Sequence, residues 1–222
     1  KVRNFDQMRD ALRHMDRFDL DHSPHFEPKR GPAIPTYVAA PRSGLMYMPL
    51  RSGPDAAIAA WLGAVDGMAA DQVLTKFTQR SARDWQARHQ PHRRFTVLRH
   101  PLARAHAAFC DRLLAQDAAQ LADMRANLRR VHRIDIPENG ADFSGEDGYD
   151  VAAHKAAFTG FLRFLRHNLG GQTSIRVDPS WASQHVLLQG MAHYGLPDAV
   201  LRENDLDSTL PELARQIGVV DP

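Results

Sequence analysis

The chain has 222 residues, 43% of them hydrophobic and 24% charged, with a formal net charge of +2. That is enough chain for one α/β domain with an ordinary core, and the mild basic excess suits a small anionic ligand but is too weak to argue for nucleic acid. No low-complexity tract, internal repeat or apolar run near the ~20 residues of a membrane-spanning helix occurs, and the lone Cys110 allows no intrachain disulfide, so a reducing, cytoplasmic compartment is expected.

From the amino end, residues 4–15 (NFDQMRDALRHM) place Phe5, Met8, Leu12 and Met15 at helical spacing behind an Asn4 cap. A Pro-rich arm follows, with Pro24, Pro28, Pro32 and Pro35, and residues 1–36 read as an N-terminal helix and arm on a single domain spanning 1–222. Tyr37–Ala40 and Leu45–Met48 are short strands around a Pro41-Arg42-Ser43-Gly44 turn. From Pro54 the pattern is helical, with Pro54 at the first position, Asp55 at the positive end, and Ile58, Trp61 and Leu62 on one side.

Thr78–Gln90 predicts a further helix and Phe95–Leu98 (FTVL) a brief buried strand. Pro101 opens a helical region running to about His132, broken near Asp117. Residues 135–150 read as a loop. Val151–Asn168 is a helix with Phe158, Phe161, Leu162 and Leu165 on one stripe and Gly170 beyond its end. Ala199–Leu201 makes a strand, and Ser208–Ile217 a last helix closed by Gly218. Short strands alternating with helices predict an α/β layer structure with a mostly parallel sheet.

Two strand-to-helix junctions carry arginine. One is Pro49-Leu50-Arg51-Ser52-Gly53 ahead of Pro54; the other is Leu98-Arg99-His100-Pro101, with Arg104 one turn on. In a parallel sheet both fall at the carboxyl edge, where open α/β folds bind ligands. A helix start has unpaired N–H groups and a positive dipole end, so two such starts with arginines suit two separated anionic groups, as on a dinucleotide-like ligand. The alternative is that the residues only make turns and surface ion pairs. A nucleotide-kinase reading fails, because no G-x-x-x-x-G-K-[ST] run is present.

"FTVLRHPLARAHAAF" resembles the segment of carbohydrate sulfotransferases that reads Arg-x-Pro-x-x-Arg-x-x-Ser-x-Tyr after a strand and grips the 3′-phosphate of 3′-phosphoadenosine-5′-phosphosulfate (PAPS). "YMPLRSGPDAAIAAWL" is similar to their 5′-phosphosulfate loop. "DPSWASQ" (178–184) is similar to their Asp-x-His-Trp-x-Pro-Gln stretch, and "DAVLRENDLDSTLPELARQIGV" (198–219) to their closing strand, Glu-Asn-Leu and helix. The resemblance implies a three-layer, P-loop-like sulfotransferase fold. It implies transfer of a sulfuryl group from PAPS to a hydroxyl of a carbohydrate-like acceptor, with no metal, no nucleic acid and no membrane span.

By that resemblance Arg51, Ser52, Gly53, Pro54, Asp55, Arg99, Arg104 and Ala107 stand at the cofactor-binding positions, and Arg51 at the catalytic one. The acceptor hydroxyl calls for a general base, a histidine or a carboxylate; among His92, His100 and His106 near the second junction, His106 is preferred. The chain departs from the pattern: the family's lysine becomes Leu50 or Arg51, its Thr-Ser pair Asp55 and Ala56, its serine Ala107, its tyrosine Phe109, and the third block carries Ser180 and Ser183 for histidine and proline. Each change removes a hydroxyl or charge that would hold anionic oxygens. A sulfotransferase-fold binding or regulatory protein without transfer activity is therefore the second expectation. The turn at Arg42-Ser43-Gly44 is a rival phosphate loop, disfavoured because Pro49 would break the helix it must feed.

Two His-x-x-His pairs, His22/His25 and His89/His92, lack carboxylate or cysteine partners at metal spacing. Cys110 reads as a packed thiol, and Trp61 and Trp181 as core.

Overall fold

The computed structural model describes residues 37–115, 121–138, 149–191 and 195–219, all within one compact unit, Pro35–Pro222. The helix expected over 4–15, the Pro-rich arm, the break near Asp117 and most of the 135–150 loop lie outside the described residues.

Four strands stand side by side in chain order: β1 (Val38–Ala39), β2 (Leu45–Tyr47), β3 (Arg93–Leu98) and β4 (Ala199–Arg202). β1 pairs antiparallel with β2, whereas β2–β3 and β3–β4 are parallel, Tyr47 lying opposite Phe95 and Leu98 opposite Arg202. The helices are α1 (Asp55–Val65), α2 (Gln79–Arg88), α3 (Pro101–Ala108), α4 (Ala122–Arg130), α5 (Val151–Leu169), α6 (Gln184–Met191) and α7 (Leu206–Arg215). The protein is thus α/β, with a small mixed sheet flanked by helices.

Alternation along the strands decides which helix covers which face. Leu45, Tyr47, Phe95 and Val97 pack with Ile58 and Leu62 of α1 and with Leu210 and Leu213 of α7. Met46 and Met48 pack on the opposite face with Trp85 of α2 and Met191 of α6. Side chains of this size contribute roughly 1.5–3 kcal/mol each when fully buried, so the two faces fix the strand register. A one-residue slip would exchange them. A third cluster joins Phe109, Leu113, Leu128, Phe161, Phe164 and Trp181 away from the sheet strands.

The helical region expected from Pro101 to about His132, with a break near Asp117, divides into several pieces among the described residues. α3 ends at Ala108 and runs into a π-wound stretch, Phe109–Leu114, before α4 begins at Ala122. α6 follows Ser183 and has no counterpart in the sequence reading, because two turns of Gln-His-Val-Leu-Leu-Gln-Gly-Met are too short to show a period. α2 begins at a capping box, with Thr78 and Ser81 each satisfying the other's backbone N–H at 2.7 and 3.0 Å. The Asp150 carboxylate caps α5 by accepting from Ala153 N at 2.8 Å.

Candidate functional site

Because β2, β3 and β4 are parallel neighbours, their carboxyl ends share one edge of the sheet. The bend at Arg51–Pro54 leaves β2 for α1, the bend at Arg99–His100 leaves β3 for α3, and Glu203 follows β4. The two arginine-bearing junctions therefore lie side by side, as the parallel reading requires.

Arg99 and Arg104 tie this edge together. Arg99 donates from Nε to Glu203 Oε2 at 2.9 Å and from Nη1 to the Ser52 carbonyl at 3.3 Å. Its backbone is held by Gln184, whose Oε1 accepts from Arg99 N and whose Nε2 donates to Arg99 O, both at 2.9 Å. Arg104 donates from Nε to the Arg51 carbonyl at 2.9 Å, from Nη1 to Ala182 O at 2.6 Å and from Nη2 to Pro179 O at 2.7 Å. These contacts bring together four segments widely separated in sequence, around residues 51–52, 99–104, 179–184 and 203.

The two arginines differ in what they can still do. Arg104 is 4% exposed and faces three carbonyls, with no carboxylate in hydrogen-bond contact among the described residues. Burial pushes its guanidinium down to about 10, with Asp178 offsetting part of the shift, so it stays charged at neutral pH. Its place is inside the scaffold. Arg99 keeps a quarter of its side chain exposed, and its Nη2 group lies outside the contacts to Glu203 and Ser52. Arg51 is exposed, and its guanidinium makes no hydrogen bond or ion pair among the described residues. Arg51 and Arg99 are therefore cations at the two bends that an anion can reach.

The loop itself is tightly specified. Ser52 sits at φ +60°, a left-handed conformation that costs a non-glycine residue roughly 1–2 kcal/mol. At Gly53 an added Cβ would stand 2.8 Å from the Leu50 carbonyl and 3.0 Å from the Tyr47 hydroxyl, so only glycine fits. Pro54 precedes α1, whose N-terminus carries no side-chain cap. Its first-turn N–H groups thus remain available to an acceptor.

Asp55 opens that turn. The buried Tyr47 hydroxyl donates to its Oδ1 at 2.9 Å. Asp55 keeps an exposed face, but partial desolvation at the bend raises its carboxyl above the usual range, and the Tyr47 hydrogen bond with the nearby Arg51 and Arg99 offsets only part of it. Tyr47 is held well above its ordinary value, first by burial and then by the Asp55 charge, so it stays a donor. A carboxylate at this bend opposes an incoming anion, and Arg51, Arg99 and the α1 amides must outweigh it.

The remaining residues singled out from the sequence divide between this edge and places away from it. Ala107 presents a partly buried methyl on α3. His100 caps α3, its Nδ1 accepting from Leu102 N at 3.3 Å. His92 precedes β3 at the opposite edge. His106 is turned toward α5, its Nε2 2.9 Å from His154 Nε2, and its described contacts do not include either bend. The rival loop at Arg42-Ser43 joins antiparallel strands at the amino end of β2, and its N–H groups already donate to the Asp66 carboxylate at 2.6 and 3.0 Å. Trp181 is core, as expected, and donates to Asn168 Oδ1 at 3.0 Å.

Sequence reasoning missed Tyr47 and Gln184 as parts of the site. Tyr47 sits on the buried strand, where a tyrosine reads as packing. Gln184 carries no charge to draw notice, although it closes the "DPSWASQ" block. No family model, no curated protein and no solved structure matches the chain. Among the described residues, no helix is long and apolar enough to cross a membrane.

Proposed function

We propose that the chain is a PAPS-dependent sulfotransferase of P-loop-like fold acting on a hydroxyl of a carbohydrate-like acceptor. The observation that supports this reading is the meeting of its four family-like segments at one sheet edge, around Arg99 and Arg104. In it, Arg51 and the first-turn amides of α1 take the 5′-phosphosulfate, and Arg99 takes the 3′-phosphate. Arg104 braces the loop between them. Sulfuryl transfer is an in-line displacement with charge building on the leaving phosphate oxygen, so positioning and electrostatic stabilisation supply most of the catalysis. Arg51 provides that charge but is a poor proton donor, since its guanidinium does not readily release a proton.

The second reading is a sulfotransferase-fold binding protein without transfer activity, and it is favoured by Asp55 at the phosphosulfate bend. Incubation with sulfur-labelled PAPS and a panel of mono- and oligosaccharides separates the two. Label moving to an acceptor, and lost in Arg51→Ala, is the outcome expected of the enzyme. Nucleotide binding with no transfer to any acceptor favours the second reading.

A further inference from the structure

Away from the two bends, the helical part of the molecule gathers a different set of ligating atoms. His106 on α3, Cys110 in the π-wound stretch and His154 on α5 place one ligand atom each within 4.8 Å of one another. His106 Nε2 lies 2.9 Å from His154 Nε2 and 3.7 Å from Cys110 Sγ. We propose that these three residues bind a zinc-class transition-metal ion.

The convergence of all three atoms carries the proposal. A neutral histidine pair sharing one proton accounts for the 2.9 Å approach of the two rings. It does not account for the sulfur, which borders the neighbouring apolar cluster and also stands 3.7 and 3.9 Å from the two ring nitrogens of His106. A tetrahedral ion with bonds of about 2.0–2.1 Å to nitrogen and 2.3 Å to sulfur separates its ligands by roughly 3.3–3.6 Å. The 2.9 and 3.7 Å spacings lie on either side of that value and all three atoms are within 4.8 Å of one another, so side-chain rotations must complete the shell.

The ligand chemistry selects the ion. Two imidazoles and a thiolate suit zinc, cobalt or copper, and disfavour magnesium and calcium, which take oxygen. On binding, the metal–sulfur bond replaces the S–H bond and the thiol proton leaves to solvent. The scaffold is firm: His106 and Cys110 stand four residues apart on one continuous helical stretch, and π-wound turns such as Phe109–Leu114 recur at functional sites. Phe158 packs edge-on to His106 at 4.9 Å, and Phe109 and Tyr149 flank His154 at 5.5 and 5.8 Å, which limits the rings' swing. His106 is exposed while Cys110 and His154 are half-buried, so the cluster stands near the surface rather than deep in the core. The sequence does not announce this set, because its third member comes from a helix 44 residues further along.

The full-length chain titrated with cobalt(II) tests it. The expected result is a thiolate-to-cobalt absorption band saturating at one equivalent per chain and displaced by zinc. The band is lost in Cys110→Ser and in His154→Ala but kept in the surface control His167→Ala. No band in the native chain, or a band that survives Cys110→Ser or His154→Ala, overturns the proposal. X-ray absorption of the zinc-loaded native chain decides independently of whether the variants fold. One sulfur with two nitrogens in the coordination shell supports the site, and a shell of nitrogen and oxygen alone overturns it.

Discussion

Arg104 Nε lies 2.9 Å from the Arg51 carbonyl, so an arginine on α3 holds the loop that opens α1. With its other two nitrogens on Pro179 and Ala182, this buried cation joins three stretches of chain through backbone oxygens alone. Arg104→Met should therefore destabilise the protein by about 3 kcal/mol, since hydrogen bonds to a charged group are worth about 1.5–3 kcal/mol each and do not simply add. Urea unfolding checks this. Arg104→Lys should recover only part of the loss, because one ammonium cannot reproduce the planar fork.

Gly53 is enclosed by the Leu50 carbonyl, the Tyr47 hydroxyl and the Asp55 carboxylate. Gly53→Ala should cost about 1–3 kcal/mol, the usual range for forcing atoms into a packed site. It should also weaken binding of anions at the α1 N-terminus. Thermal unfolding and a phosphate-analogue titration on the same variant read both effects.

Asp55 puts a negative charge where the proposed donor's phosphosulfate lies. Removing one like charge in a solvent-facing bend is worth about 1 kcal/mol, roughly fivefold in affinity. Asp55→Asn should therefore tighten binding of 3′,5′-adenosine bisphosphate, measured by calorimetry. The pH dependence has a definite sign. The folded state raises this carboxyl, so it binds the proton more tightly than the unfolded chain and gains relative stability as pH falls through its titration. Asp55→Asn should abolish that gain.

Asp198 behaves in the opposite way. Burial alone would raise its carboxyl, but the side-chain and backbone hydrogen bonds from Arg94, at 2.8–3.2 Å, outweigh burial and lower it. Its stabilisation is present above the unfolded value, about pH 4, and fades as pH falls through the lowered folded value. Both side chains are partly exposed, so about 1 kcal/mol is expected at neutral pH. Asp198→Asn should flatten the acid limb of a stability–pH profile collected by urea unfolding.

The sheet was legible because YVAA, LMYM and FTVL are short apolar runs bounded by turn residues, and the parallel order then placed Arg51 and Arg99 on one edge. What sequence does not carry is direction. Arg99 and Arg104 look equivalent as two arginines flanking a helix start, yet one reaches the surface with Glu203 while the other turns inward to carbonyls. Charge is written in the residue type; which way the side chain packs depends on backbone oxygens contributed from residues 179 and 182. The His106–Cys110–His154 cluster is hidden for the same reason, since His154 lies 44 residues beyond Cys110, whereas His89 and His92 stand at metal-like spacing in sequence. His89 instead lies against the Trp85 and Pro41 carbonyls at 2.8 and 3.1 Å.

Calorimetric titration of the full-length chain with 3′,5′-adenosine bisphosphate tests the nucleotide reading most directly. One molecule bound per chain is predicted, with affinity falling roughly tenfold to a hundredfold in Arg99→Ala, the loss of one charge-assisted contact worth about 1.5–3 kcal/mol. No detectable heat at high micromolar nucleotide, or an affinity that Arg99→Ala leaves unchanged, would contradict it.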